Sequence, residues 1–257
     1  MKRSQMAILA VLAVLLAGCG GSDSRSGSSQ PRLTISAAAS LKNAFTAYGK
    51  DFSGARARFS FAGSDELAAQ IRKGVRPDVF AAANTKLPSQ LYAEGKVDKP
   101  VVFAGNRLVL AVPSDGGGAR VHSVRDLAQR GVKLAVGSSS VPVGSYTRDV
   151  LKRLPGHESK AILANVRSNE PDVAGVVGKL TQGAADAGFV YVTDAVATKG
   201  RVKAIELPKR LQPSVEYGAA VVKGAKQPGQ ARRFIKGLLA GKGLEAMGHA
   251  GFEPPPK

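Results

Sequence analysis

The chain has 257 residues, of which 44% are hydrophobic, 22% charged and 5% aromatic; that balance excludes a disordered chain, a collagen-like repeat and a disulfide-rich mini-protein. Lys and Arg number 37 against 19 Asp and Glu, for a formal charge of +18. A single cysteine excludes an internal disulfide, and three widely separated histidines (His122, His157, His249) offer no Cys/His metal site.

In chain order, the first segment is an address. Residues 1–18 begin Met-Lys-Arg, continue through an apolar run from Met6 to Leu16 and end on small residues. This is the pattern of a secretory signal peptide, and the run is too short for a membrane span of about 20 residues. Leu16-Ala17-Gly18-Cys19 resembles the bacterial lipobox, which implies cleavage before Cys19 and a lipid on its sulfur; the alternative is an ordinary signal peptide with an incidental cysteine. Cleavage would remove Lys2 and Arg3 and no acid, lowering the charge from +18 to +16. Residues 19–31 are rich in Gly and Ser and read as a flexible tether.

The remainder alternates strands and helices. Leu33–Ser36 is a strand running into small residues. Leu41, Ala44, Phe45, Tyr48 and Phe52 mark one face of a helix, with Ser40 at its N-cap. Ala57–Ala62 is a second strand, followed by a helix over Asp65–Lys73 with Ser64 at its N-cap. Val79–Ala83 is a strand and Lys86–Glu94 a helix. Arg107–Val112 is a strand closed by Pro113, and Gly116–Gly118 a turn. Asp126–Arg130 reads as a short helix, Lys133–Val136 as a strand, and Gly144–Leu154 and Pro171–Thr181 as helices. Ala187–Tyr191, Val202–Leu207 and Tyr217–Val222 are strands; Gly229–Leu239 and Leu244–Gly248 are closing helices. The alternation predicts an α/β architecture with mostly parallel sheets covered on both faces.

Catalytic signatures are missing. There is no Gly-x-Ser-x-Gly elbow and no His-Glu-x-x-His, and none of the four Gly-Lys pairs (Lys50, Lys96, Lys179, Lys242) is followed by Ser or Thr, as a phosphate loop requires. The basic residues are spread evenly, in runs no longer than two, with few aromatics for base stacking. They read as a solvated surface rather than a nucleic-acid footprint. What is present is a pair of strand–loop–helix units, each with a serine where the helix begins. A helix start offers unpaired N–H groups and the positive end of its dipole, so an added hydroxyl makes an anion site. Each serine taken alone is equally a plain cap.

Six motifs occur in order. They are Ala37-Ala38-Ala39-Ser40-Leu41; Phe61-Ala62-Gly63-Ser64; Pro77-Asp78-Val79-Phe80-Ala81-Ala82-Ala83-Asn84; Gly105-Asn106-Arg107-Leu108-Val109-Leu110-Ala111-Val112-Pro113; Leu134-Ala135-Val136-Gly137 with Val141-Pro142-Val143-Gly144-Ser145-Tyr146; and Gly188-Phe189-Val190-Tyr191-Val192-Thr193-Asp194-Ala195. Together they resemble the periplasmic molybdate-binding proteins of ABC transporters over Leu33 to Phe252. The resemblance implies a two-lobed, type II periplasmic-binding-protein fold with mixed sheets flanked by helices and a ligand cleft between the lobes. It implies lobe 1 from residues 32–108 and 219–257 and lobe 2 from 109–218, with crossings near Arg107–Val112 and Tyr217–Val222. It implies capture of molybdate and tungstate, with no enzyme activity, no cofactor and no direct ligation of the metal. Carried over by position, Ser40 and Ser64 donate hydroxyl and backbone N–H, Val143 and Val173 donate backbone N–H from helix starts, and Tyr191 donates its phenol. The implied partners are the membrane permease and its ATPase, met by a monomer anchored through Cys19 at the outer face of the cell membrane or in the periplasm. Two departures bear on selectivity. Gly63 stands where the family commonly has serine, and Val143 where it commonly has alanine.

Neutral donors suit such an anion. A dianion leaving water needs donors converging on all its oxygens, and donors alone reject a protonated anion. Tyr191 also reads as a strand-end aromatic packed on the core, and Asp78 and Asp194 read as structural, since a carboxylate facing a dianion repels it. Two rival readings remain at this level. One is a same-fold carrier of another tetrahedral oxyanion such as sulfate. The other is an exported hydrolase with Ser40 or Ser64 as nucleophile, which needs a base within hydrogen-bond reach.

Overall fold

The computed structural model describes residues 30–116 and 120–256. The signal segment, Cys19 and the tether through Ser29 lie outside the described residues, as do Gly117 and Gly118 of the expected turn.

Among the described residues, ten strands form two five-stranded sheets. In the first, β1 (Arg32–Ala38) lies between β2 (Arg56–Ala62) and β3 (Val79–Ala82), both parallel to it, with Ile35 opposite Phe59 and Val79. Next to β3 runs β10 (Val215–Val221), antiparallel, and β4 (Val101–Asn106) closes the edge antiparallel to β10. The second sheet has β6 (Leu134–Gly137) between parallel β7 (Val166–Glu170) and β8 (Ala187–Tyr191). Beside β8 lie β5 (Leu108–Pro113) and then β9 (Val202–Glu206), each antiparallel to its neighbour. The orders β2-β1-β3-β10-β4 and β7-β6-β8-β5-β9 are one plan used twice. The strands interior to both sheets are buried on both faces, which explains runs such as LVLAVP and VFAA.

Helices cover these sheets. On the first half α1 (Lys42–Asp51), α8 (Pro228–Leu239) and α9 (Lys242–His249) pack together, and α2 (Ser64–Arg72) and α3 (Lys86–Ala93) pack on each other and on β3. Phe45, Tyr48 and Phe52 of α1 and its end meet Phe234 of α8, with ring centroids 5.4, 4.6 and 5.4 Å apart. Such pairs add about 0.5–1.5 kcal/mol each beyond burial. The second half carries α4 (Pro142–Lys152), α5 (Gly156–Ala164), α6 (Val173–Thr181) and the short α7 (Val192–Ala197) around a mostly aliphatic core.

The chain passes between sheets twice. The first passage is a single residue, Arg107, between β4 and β5. Its guanidinium pairs with Glu206 at 2.9 Å and Glu253 at 3.1 Å, so it ties the passage to the second sheet and to the C-terminal segment. The return runs between Glu206 and Val215. The expected crossing near Tyr217–Val222 therefore falls inside β10, within the first sheet, and the strand change comes earlier in the chain; Leu108, assigned to lobe 1 from the sequence, opens β5 of the second sheet. Asp78 holds the first half together, as its sequence context suggests. It accepts from the Thr34 N–H and hydroxyl (2.7 and 2.8 Å) and from the Gln227 N–H that precedes α8 (2.7 Å).

Candidate functional site: a small cavity at the strand ends

The carboxyl ends of the three parallel strands of each sheet face one small cavity. Its lining includes Ala39 and Ser40 after β1, Ala62, Gly63 and Ser64 after β2, and Ala83 after β3. From the other half come Val141, Pro142 and Val143 after β6, Asp172 and Val173 after β7, and Tyr191 at the end of β8. All five residues singled out from the sequence, Ser40, Ser64, Val143, Val173 and Tyr191, thus line one cavity, and all five are buried. The cavity volume is about 20 Å³, room for little more than one water-sized group and far below the roughly 300–1,000 Å³ of sites for drug-sized molecules.

Three helices aim their N-termini here. Ser64 is the first residue of α2, Val143 the second of α4 behind Pro142, and Val173 the first of α6. The first-turn N–H groups of a helix have no partner within it, so the cavity is surrounded by donors and by the positive ends of three dipoles. The sequence expectation of N-caps is corrected in detail. Gly63 occupies the N-cap of α2, and Ser40 sits inside a turn of 3-10 helix, Ala39–Leu41, that precedes α1. Neither serine caps by its side chain, so both hydroxyls are turned to other work. The Ser64 hydroxyl accepts from the Ala83 N–H at 3.1 Å, leaving its proton to be donated elsewhere. The Ser40 hydroxyl lies 2.9 Å from the Tyr217 hydroxyl.

Local sequence explains the close approach of α4. A Cβ on Gly144 would fall on the carbonyl oxygens of Gly137 and Ser138, so only glycine lets the helix start pack on the end of β6. The Arg148 guanidinium lies behind this loop, donating to the Gly137 and Gly144 carbonyls at 3.1 and 3.0 Å. At the mouth, a Cβ on Gly63 would fall on the carbonyl oxygen of Pro171 from the opposite half, and would stand 2.9 Å from an Asp65 carboxylate oxygen. Glycine at 63 is what allows the two halves to meet here.

Tyr191 is the most informative residue. Its hydroxyl is buried and has no hydrogen-bond partner among the described residues, whereas buried polar groups are paired in the great majority of cases. Burial raises its pKa well above the ordinary tyrosine value, with the neighbouring Tyr217, Tyr146 and Asp194 adding to the shift, so it stays a neutral donor. Asp194 stands behind it, accepting from the Tyr191 N–H at 3.3 Å. Burial pushes the Asp194 carboxyl up to about 7, against that hydrogen bond and with a contribution from Asp172. Asp172 is the lining residue that sequence reasoning missed. Its carboxylate accepts from the Gly175 N–H at 2.9 Å and so caps α6, a role that the Asp before the helix start could have signalled.

Among the described residues, no Lys, Arg or His lines the cavity. For the hydrolase reading, the Ser40 hydroxyl is bonded to the Tyr217 hydroxyl, and no histidine is among the residues lining this cavity. Among the described residues no group of three or more His, Cys, Asp or Glu could hold a metal ion.

Residues 33–253 match the family model for bacterial extracellular solute-binding proteins. The molybdate-binding protein ModA of Mycobacterium tuberculosis is 34% identical over 258 residues, covering 96% of each chain. Among solved structures, the periplasmic molybdate-binding protein of Azotobacter vinelandii superposes with a TM-score of 0.77 at 20% identity, covering 87% of this chain and 100% of that one. The sulfate-binding protein SubI of Mycobacterium tuberculosis gives 0.74 at 19%, covering 87% of each. At these identities the solved structures speak for the fold, two mixed sheets flanked by helices, as the resemblance implied. The family match and the extent of the sequence identity settle the rest: this chain is a member of the bacterial extracellular solute-binding proteins, a binding protein rather than an enzyme, working outside the cytoplasm.

Proposed function

We propose that the protein captures molybdate, and tungstate with it, for an ABC importer. The observation that carries this reading is the unpaired, buried Tyr191 hydroxyl in a small cavity that holds donors and no cationic side chain. Ser40, Ser64 and Tyr191 donate from side chains, and Val143 and Val173 from the backbone at helix starts. Such a set matches a tetrahedral dianion, whose oxygens only accept. The two sheets act as lobes that close over the anion, and the closed form is what a membrane permease and its ATPase would recognise. The 34% identity to a molybdate-binding protein over 96% of the chain supports the choice of ligand. The lipobox-like Leu16-Ala17-Gly18-Cys19 supports a lipid anchor on Cys19. Acyl chains contribute about 0.8 kcal/mol per buried CH₂, so more than one would hold the protein at a membrane.

Thermal unfolding of the protein from Arg32 onward, with molybdate, tungstate, sulfate and phosphate in turn, tests this. Ligand at about 100 times its Kd adds roughly 2.7 kcal/mol of stability, a shift of several degrees at this size. Molybdate and tungstate alone should raise the Tm. A shift with sulfate instead would keep the oxyanion site and change the ligand, and no shift with any of the four would overturn the reading.

A further inference from the structure

The hydroxyl of a serine can donate or accept, and an anion site works only if the proton faces the anion. The network behind Ser40 fixes that choice. Asn106, the last residue of β4, has its Oδ1 engaged by the Arg107 N–H at 2.8 Å. Its amide nitrogen therefore faces the other way, donating to the Thr193 hydroxyl at 3.0 Å and towards the Tyr217 hydroxyl at 3.4 Å. An amide N–H₂ cannot accept, so Tyr217 is the acceptor on that side. Its own proton is left for its other neighbour, Ser40, 2.9 Å away. The Ser40 proton then cannot point at Tyr217 and points into the cavity. Tyr217 is itself fully buried, its ring held edge-on by Phe103, Tyr191 and Phe252 with centroids 6.2, 5.8 and 5.2 Å away. It is not among the residues lining the cavity.

We propose that Tyr217, set by Asn106 at the passage between the sheets, is a positioning residue that makes Ser40 an obligate donor and so excludes oxyanions that carry a proton. The inference rests on the oxyanion reading above and adds to it the origin of one element of selectivity. An anion with an O–H must find an acceptor. At Ser40 it meets a second donor, because Tyr217 holds the hydroxyl in one sense.

Calorimetric titration of molybdate and of inorganic phosphate into the wild type, Tyr217→Phe, Ser40→Ala and the double variant tests it. Tyr217→Phe should bind molybdate about tenfold more weakly and should raise the affinity for phosphate relative to molybdate, since the freed Ser40 can now accept. In the Ser40→Ala background the same change should add no further loss. Equal losses in both backgrounds, or an unchanged phosphate-to-molybdate ratio, would show an effect of packing alone and overturn the proposal, as would wild-type affinity in Tyr217→Phe. If Tyr217→Phe proves unfolded by its melting curve, Asn106→Ala carries the same comparison, with an expected loss of about threefold. A wild type that binds molybdate while Tyr217→Phe behaves like it separates failure of this inference from failure of the function; a wild type that binds no anion overturns both.

Discussion

The two halves of the molecule share one strand plan but solve the donor problem differently. In the order β2-β1-β3-β10-β4 against β7-β6-β8-β5-β9, β1 corresponds to β6, β2 to β7 and β3 to β8. The residues facing the cavity correspond as well. Ser40 follows β1 as Val143 follows β6, Ser64 follows β2 as Val173 follows β7, and Ala83 follows β3 where Tyr191 ends β8. In the proposed site the first half would answer with side-chain hydroxyls, the second with bare backbone at helix starts and one phenol. Symmetry of fold thus supplies the place, a strand end meeting a helix start, and the side chains decide who donates.

The largest break in that comparison is expected at Ser64. Ser64→Ala removes a donor to the anion, worth about 1.5–3 kcal/mol of binding. It also strips the buried Ala83 N–H of its acceptor, at a cost of about 1–3 kcal/mol in stability. Calorimetry and thermal melts of the ligand-free protein read the two losses separately. The backbone half can be tested with equal economy. Val173 is the first residue of α6 and follows an extended Asp172, a setting where proline is tolerated and only the N–H is lost. Val173→Pro should therefore weaken molybdate binding by about 1.5–3 kcal/mol with a smaller change in the melting temperature; unchanged binding would remove Val173 from the donor set. A smaller effect is expected where the halves touch. Gly63→Ala sets a methyl group against the Pro171 carbonyl, so closure should cost about 1–2 kcal/mol more. Faster ligand release in stopped-flow, with the ligand-free melt unchanged, would be the sign of it.

The last expectation concerns stability and pH. Asp194 holds its proton up to about pH 7 in the folded protein, against an ordinary value of 3.8. Between those values the unfolded chain binds fewer protons than the folded one, so raising the pH lowers stability across this window and leaves it level above. Asp194→Asn keeps an acceptor for the Tyr191 N–H and has nothing to titrate. Its melting temperature should gain on the wild type by a few degrees between pH 4 and pH 7, and parallel curves would refute the assignment.

Much of this was legible in the sequence, and the parts that were not have physical reasons. β1, β3 and β6 were readable because their apolar runs end in small residues and a helix start. Of the cavity, Ser40 and Ser64 were readable as serines at helix starts; Val143, Val173 and Tyr191 came only with the resemblance to the molybdate-binding proteins, carried over by position, and all five line the same cavity. β7 was missed since it is a polar edge strand, VRSNE, with no face to bury. β4 was missed: the strand read over Arg107–Val112 covers β5, and nothing was assigned to the run just before it, which only Arg107 separates from β5. α5 buries only Ile162, and α7 follows β8 with no loop to announce it. The expected helix at Asp126–Arg130 is a 3-10 turn, Arg125–Ala128. Tyr217 gave no signal, because a strand tyrosine looks the same whether it fills space or orients a hydroxyl; only the 2.9 Å contact with Ser40 distinguishes them.

If the cavity is the site of capture, its lining, without a single cation among the described residues, and the charge of +18 around it divide the labour. The outer charge acts over distances comparable to the Debye length, about 10 Å at 0.1 M salt, and draws anions of every kind towards the surface. The dipoles inside act only at contact and are shielded from dissolved ions once the halves meet. Added salt should slow arrival and leave residence time alone. In brackish surroundings such a protein becomes a slower scavenger that holds what it has caught as firmly as before.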